Sequence, residues 1–344
     1  KYEEEETLAN VPVWEQEKLA LYTKELPAML HILSEDPDGL AGIDQEKMRA
    51  VTIGRMKIIK PYRDKMENNY PWCIAAVPGK AWAKKVFPAL QVNRAVDALW
   101  DAILKASRAD GPDPVREWAR HNDNLAKRCD YLNRLGLTAL EYKSSNGTDL
   151  RVGLLPNTDF MGGGESDLKG HYYNPNIPSE EIFTTPRAGD ADGIVYATKP
   201  LSYQGQLIEN FSVRFEKGKV VEVNAEKNRE LLEKMVSMDE GAAKLGECAL
   251  IAYDSPINNL GILFYNTLFD ENASCHLALG RGFGNCVRGY EDMTNEQLKE
   301  YGINDSMIHV DFMIGSEDLE ITGITEKGER VAVFEDGNWS RALR

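Results

Sequence analysis

The chain has 344 residues, is 42% hydrophobic and 28% charged, and carries a formal net charge of −15. That length sets a prior of two domains and allows a real core without disulfide or metal staples. The acidic surplus leaves no basic excess to displace phosphate counterions, which excludes nucleic acid as a partner, and it argues equally against docking on an anionic membrane.

In chain order, VWEQEKLALYTKELPAMLHIL (residues 13–33) carries apolar residues at helical spacing, with Pro27 as a kink or boundary. DPDG at Asp36–Gly39 is turn chemistry, and CIAAVP from Cys73 to Pro78 reads as a short buried strand ended by proline. NRAVDALWDAILKAS and DPVREWARHNDNLAKRCDYLNRLG are helices. In the second, Asp113 is the N-cap, Pro114 the first helical residue, and Gly136 lies beyond the end. The texture changes near Leu137. Two strands flank Asn146-Gly147, MGGGESDLKG is a flexible loop, and LIENFSVRFEKGKVVEVNA is a hairpin turning at Lys217-Gly218. AEKNRELLEKMVSM is an amphipathic helix, GECALIAY and MIHVDFMIG are buried strands, and VAVFEDGNW closes on a hairpin at Asp336-Gly337. The expectation is a helix-rich α/β front domain, residues 1–136, and a β-rich α+β rear domain, residues 137–344.

The five cysteines, Cys73, Cys129, Cys248, Cys275 and Cys286, are odd in number and form no C-x-x-C pair. Reduced thiols and a cytoplasmic location follow better than a disulfide framework. No apolar run reaches the roughly 18 residues of a membrane span, and the acidic opening KYEEEETLANVPVW is no signal peptide.

Of the five histidines, His31 and His121 fall in the helical front, as surface or half-buried residues, and His171 sits in a loop. His309 is different. In MIHVDFMIG it stands two residues from Asp311, so both point to one face of a strand. Two polar groups aimed into a buried face need partners, and a hydrogen-bonded His–Asp core pair would suffice. LFDENASCHLALGRGFGN adds Glu271 and His276, and KLGECALI adds Glu247 at the mouth of another apolar strand. So many acids and imidazoles converging in one half suit divalent cations. Mixed nitrogen and oxygen donors suit zinc, cobalt or manganese, and more than four donors suit two ions better than one. Other motifs fall away. GRGFG at Gly280–Gly284 lacks the strand–turn–helix setting of a dinucleotide loop, and Gly162–Gly164 is followed by no Gly-Lys-Ser/Thr. There is no G-x-S-x-G and no H-E-x-x-H, and Cys275 beside His276 points the other way along a strand.

The runs IPSEEIFTTP, LGECALIAYDSPI, FYNTLFDENASCHLALGRGF and GINDSMIHVDFMIGS, with WCIAAVP and AWAKKVFPAL ahead of them, resemble the M29 family of metallo-aminopeptidases, the aminopeptidase T and PepS group. The likeness covers essentially the whole chain. It implies a metal set of Glu181, Glu247, His276, His309 and Asp311, with Glu247 bridging two divalent ions and Glu271 either a further ligand or the general base. It also implies peptide substrates with a free N-terminus, attack by a bridging water, and a homodimer. Two departures stand out. The family commonly has a tyrosine seven residues beyond the first ligand histidine, where this chain has Phe283, and Tyr290 is a candidate substitute. The family also begins with a further strand–helix portion, so the front domain is expected to be truncated. The alternative to an active aminopeptidase is therefore a folded, catalytically impaired metal-binding fragment that self-associates.

Overall fold

The helix Val13–Glu25 ends where the backbone can no longer continue it. Leu26 turns left-handed (φ 48°) and Pro27 follows. The residue before a proline is driven out of the helical region. Pro27 is thus a boundary, and the apolar run behind it is a strand, Met29–Leu33, paired in parallel with Trp72–Ala76. His31 consequently lies on an exposed strand and not on a helix. The computed structural model describes residues 2–343; Lys1 and Arg344, the ends of the two expected domains, lie outside them.

The long helix Gln45–Met66 has no counterpart in the sequence reading, because Gly54 and Pro61 interrupt its pattern. It forms because Asp44 caps it, accepting from the backbone of Glu46 and Lys47, and because Gly54 lets residue Ala9 approach closely. The helix Val92–Ala106 buries Ala95, Leu99, Ala102, Ile103 and Ala106 along one stripe. The helix Pro114–Leu135 begins and ends as expected: Asp113 accepts from the Arg116 backbone at 3.1 Å, and Gly136 is left-handed (φ 60°).

Strands dominate after Leu137. A nine-stranded sheet has Leu137–Lys143 and Asp149–Leu154 near its centre, and both hairpins at Lys217-Gly218 and Asp336-Gly337 turn through paired positive φ values. The helix Arg229–Val236 starts later than its pattern suggested, since Ala225–Lys227 complete the strand Lys219–Lys227. MGGGESDLKG is not simply a loop: Met161–Gly162 pairs with Ile182–Thr184, and Glu165–Ser166 pairs with Tyr172–Tyr173. A second, five-stranded antiparallel sheet runs His309–Met313, His276–Gly280, Leu245–Leu250, Ile182–Thr184, Met161–Gly162.

One face of this smaller sheet, with Cys248, Leu250, Leu277, Leu279 and Phe312, packs into a core shared with Leu140, Tyr142 and Val152 of the larger sheet. The helix Pro114–Leu135 contributes Leu125, Cys129 and Leu132 to the same core. A second core joins Trp82, Leu99 and Ile103 to Phe264, Leu268 and Phe269, with the Trp82 indole N–H donating to Phe264 O at 2.6 Å. Elements from both sides of Leu137 therefore share each core. Among the described residues all five cysteines are free, and no helix is long and apolar enough to cross a membrane.

Candidate metal centre

The other face of the five-stranded sheet carries the polar residues, and strand register accounts for their meeting. Glu247 pairs with Ala278, and Ala278 with Asp311, so the two acids flank one small residue across three strands. Side chains two apart share a face. His276 therefore projects beside Ala278, and His309 beside Asp311. On the far side Phe183 pairs with Ala249, which aims Phe183, and Glu181 two residues earlier, to the same face. Alanine at positions 249 and 278 leaves the room that the longer side chains fill.

The distances are short. His276 Nε2 lies 3.4 Å from Glu181 Oε2 and 3.9 Å from Asp311 Oδ1. His309 Nε2 lies 3.1 Å from Glu247 Oε2 and 3.3 Å from Asp311 Oδ1. The donor atoms form two groups, Glu181–Glu247–His276 and Glu247–His309–Asp311, each with all atoms within 4.8 Å of one another. Glu247 is common to both. His309 Nδ1 is 2.7 Å from Arg281 O and donates to it, which orients the ring so that Nε2 faces the acids, donating to Glu247 when protonated and offering a lone pair to a cation when not. His276 is 1% exposed and Glu247 3%. His276 Nδ1 and Asp311 Oδ1 are buried without a hydrogen-bond partner among the described residues.

Burial, then the charges of Glu247 and Asp311, push the Glu181 carboxyl well above the usual range. Glu271 is raised in the same way, by burial and then by Asp311, Glu181 and Glu247. Burial also raises Glu247, with the His309 hydrogen bond pulling back. Burial opposes a charge on His309, yet Asp311 and Glu247 outweigh it and hold the imidazole well above its ordinary value. For Asp311 burial is likewise outweighed, by His309 and His276, and the carboxyl is held down at about 2. Acids gathered in this way repel each other without a cation. The orphaned polar atoms, the mixed imidazole–carboxylate set and the shared Glu247 all fit divalent ions bound at this face.

Glu271 ends the helix Thr267–Glu271 and lines the same cavity of about 970 Å³, outside both donor groups. The front region also lines this cavity, through Tyr22, His31, Arg63 and Trp72 among others. Phe283 lines the cavity as a packed ring, 5.2 Å from Phe183 and 4.9 Å from His309 between ring centres. Tyr290, the candidate substitute, packs instead against the separate cluster of Leu155, Val287 and Ile303. Cys275 points away from the site, and its thiol donates to Ile251 O at 3.3 Å.

His121, expected at the surface or half-buried, is buried. Its Nε2 lies 2.7 Å from Ser179 O, two residues before Glu181, and burial lowers its pKa to about 4. Glu180 and Asn272 also belong to this neighbourhood, though nothing in their sequence setting marks them. Arg108 donates to Glu180 Oε2 at 2.5 Å, and Asn272 Oδ1 accepts from the Glu180 backbone at 2.7 Å. The Asn272 amide also reaches Leu268 O at 2.9 Å and Glu271 Oε1 at 3.5 Å, so one buried side chain ties the two acid-bearing segments together. These contacts span 92 residues of chain between Glu180 and Asn272, and no local pattern announces them.

Residues 1–339 match the family model described as thermophilic metalloprotease (M29). The chain is 41% identical to aminopeptidase AmpS of Bacillus subtilis over 97% of its own length and 82% of that protein. It is 41% identical to aminopeptidase PepS of Streptococcus thermophilus, over 96% of this chain and 81% of that one. The solved structure of wild-type AmpT from Thermus thermophilus superposes with a TM-score of 0.89 at 37% identity, covering 98% of this chain and 82% of that one. With a metal-type donor set on one sheet face and these matches across nearly its whole length, the chain belongs to the M29 family of metalloproteases, hydrolases of peptide bonds.

Proposed function

We propose that the protein is an aminopeptidase that removes the N-terminal residue from peptides, using two divalent ions held by Glu181, Glu247, His276, His309 and Asp311. The single observation that carries this reading is the pair of donor groups sharing Glu247. Bound ions of the zinc, cobalt or manganese type would supply Lewis acidity at the scissile carbonyl and a water acidic enough to attack at neutral pH. Glu271 lines the cavity beside the donor groups, and its carboxyl, raised by burial, is suited to take the proton of the attacking water and pass it to the leaving amine. Phe183 and Phe283 give that face an apolar border. In this reading residues 1–136 form the domain that walls the substrate cavity, residues 137–344 carry the chemistry, and the protein acts in the cytoplasm as a homodimer. The impaired-fragment alternative is not favoured, because every residue of the implied donor set is present and in reach. An aminoacyl p-nitroanilide and its N-acetylated counterpart test the reading: the first should be cleaved and the second should not. Equal cleavage of both would refute exopeptidase action.

A tyrosine hydroxyl at position 283 could donate to the developing oxyanion, and one such donor is worth about 3–4 kcal/mol. Tyr290 packs against Leu155, Val287 and Ile303 and is not among the residues that line the cavity. Phe283→Tyr is therefore expected to raise kcat by about tenfold or more at unchanged metal content. An unchanged kcat in stopped assays would show that the ring acts only through packing.

A further inference from the structure

The triple glycine Gly162–Gly164, which fits no phosphate loop, ends up against the metal-type face. Gly162 pairs with Ile182, and a Cβ there would lie 2.4 Å from Glu181 O. Only a residue without a side chain lets the two backbones approach so closely. At Gly164 a Cβ would fall 2.0 Å from the Tyr172 hydroxyl. The glycines thus deliver the next residue, Glu165, to the cavity wall, where it joins Gly162, Gly163 and Trp72. Three residues of chain span at most about 11 Å, so the Glu165 backbone stays close to Glu181.

Glu165 is half-buried and belongs to neither donor group. Among the described residues its side chain has one hydrogen bond, from the Tyr173 hydroxyl to Oε2, long at 3.3 Å. Among the described residues no Lys, Arg or His pairs with it. Two of the cations lining the cavity are already engaged, Lys60 by Asp64 at 2.7 Å and Arg281 by Glu67 at 3.5 Å. Burial raises the Glu165 carboxyl and the Tyr173 bond opposes that rise. A half-buried acid without a counter-ion is costly unless a cation arrives. Trp72 lines the cavity with its ring centre 6.3 Å from that of Tyr173, so the approach is flanked by aromatic faces that also favour a cation.

We propose that Glu165 anchors the free α-ammonium group of the peptide substrate. This rests on the aminopeptidase reading above. The α-nitrogen lies two bonds, about 2.5 Å, from the scissile carbonyl carbon. An anchor for it must therefore sit on a wall adjoining the donor groups, as Glu165 does through the Gly162–Ile182 pairing. Tyr173 holds the carboxylate in place and leaves Oε1 for the incoming ammonium.

The test compares metal-loaded wild type, Glu165→Gln, Glu165→Asp and Tyr173→Phe, with metal content by elemental analysis and folding by thermal melting. Binding of alaninamide, and of lactamide in which a hydroxyl replaces the amine, is measured by calorimetry. KM is measured with alanyl and lysyl p-nitroanilides. A lost charge-assisted hydrogen bond predicts about 10–100-fold weaker alaninamide binding and a similar rise in KM for Glu165→Gln. Lactamide binding and metal content should not change, and Glu165→Asp should recover part of the loss. Tyr173→Phe should lose less than Glu165→Gln. Equal weakening of alaninamide and lactamide would overturn the proposal, as would a defect confined to the lysyl substrate, which would assign Glu165 to the side chain. Failure of the underlying reading shows itself separately, as cleavage of N-acetylated substrate by the wild type.

Discussion

Exhaustive chelation is expected to abolish hydrolysis, and re-adding zinc, cobalt or manganese to restore it. The donor set has no other source of a nucleophile at neutral pH: there is no serine elbow, and the buried Cys248, Cys275 and Cys286 thiols are raised far from reactivity, the first two to about 12. The same experiment has a pH signature with a definite sign. The carboxyls of Glu181, Glu247 and Glu271 and the imidazole of His309 are all raised in the metal-free fold. A raised group contributes stability below its unfolded pKa and loses it as pH rises through the folded value. The metal-free protein should therefore lose melting temperature as pH climbs from the ordinary carboxylate range past neutrality. Asp311, held at about 2, has the opposite sign but titrates below this window. Bound cations reverse the trend, since they require the deprotonated donors and must compete with protons on the acid side. The gap in Tm between loaded and stripped protein should widen from pH 5 to pH 8, as followed by calorimetry. Full activity in protein shown by elemental analysis to be free of metal would refute the metal centre, and a gap that narrows with pH would refute the charge assignment.

Glu247→Gln should cost about a thousandfold or more in kcat, on the order of 4 kcal/mol. Altering groups that merely orient a metal ligand costs about 10–100-fold. Glu247 is more central than that, because both donor groups include it and His309 Nε2 faces it at 3.1 Å. The amide keeps the volume but removes the negative charge that the two donor groups share, and one of its ends would present N–H groups where a cation needs an oxygen. Metal stoichiometry should fall together with turnover. Glu296→Gln, an exposed change in the first turn of the helix Asn295–Tyr301, is the comparison and should leave both intact. His121 is a poor control despite its distance in sequence, because it is bonded to the segment that presents Glu181. Equal losses in the Glu247 and Glu296 variants would place the chemistry elsewhere.

Much of this site was legible before any coordinates. Alternation in MIHVDFMIG put His309 and Asp311 on one face, and the strand His309–Met313 has that geometry. Glu247 and His276 were visible as polar residues inside apolar strands, since burying such groups without purpose is costly. The helix Pro114–Leu135, with its aspartate cap and terminal glycine, was readable because caps and periodicity are local. The chain by itself also determined the family, through long motifs in fixed order. Glu181, by contrast, looked like an ordinary loop acid, and only the resemblance to that family singled it out.

What the sequence could not determine is whatever depends on contacts between distant segments. The helix Gln45–Met66 was hidden by its own Gly54 and Pro61, which packing tolerates and local propensity does not. Met29–Leu33 is a strand because Trp72–Ala76 lies beside it, a pairing across some forty residues that no window of helical spacing can sense. The bonds of Arg108 and Asn272 to Glu180, and the placement of Glu165 by three glycines against Glu181, exist only once the chain has closed on itself. Sequence patterning fixes which face of an element is polar, because side-chain direction follows backbone period. Which polar faces meet is decided by sheet register and by the two shared cores, and those are properties of the whole fold.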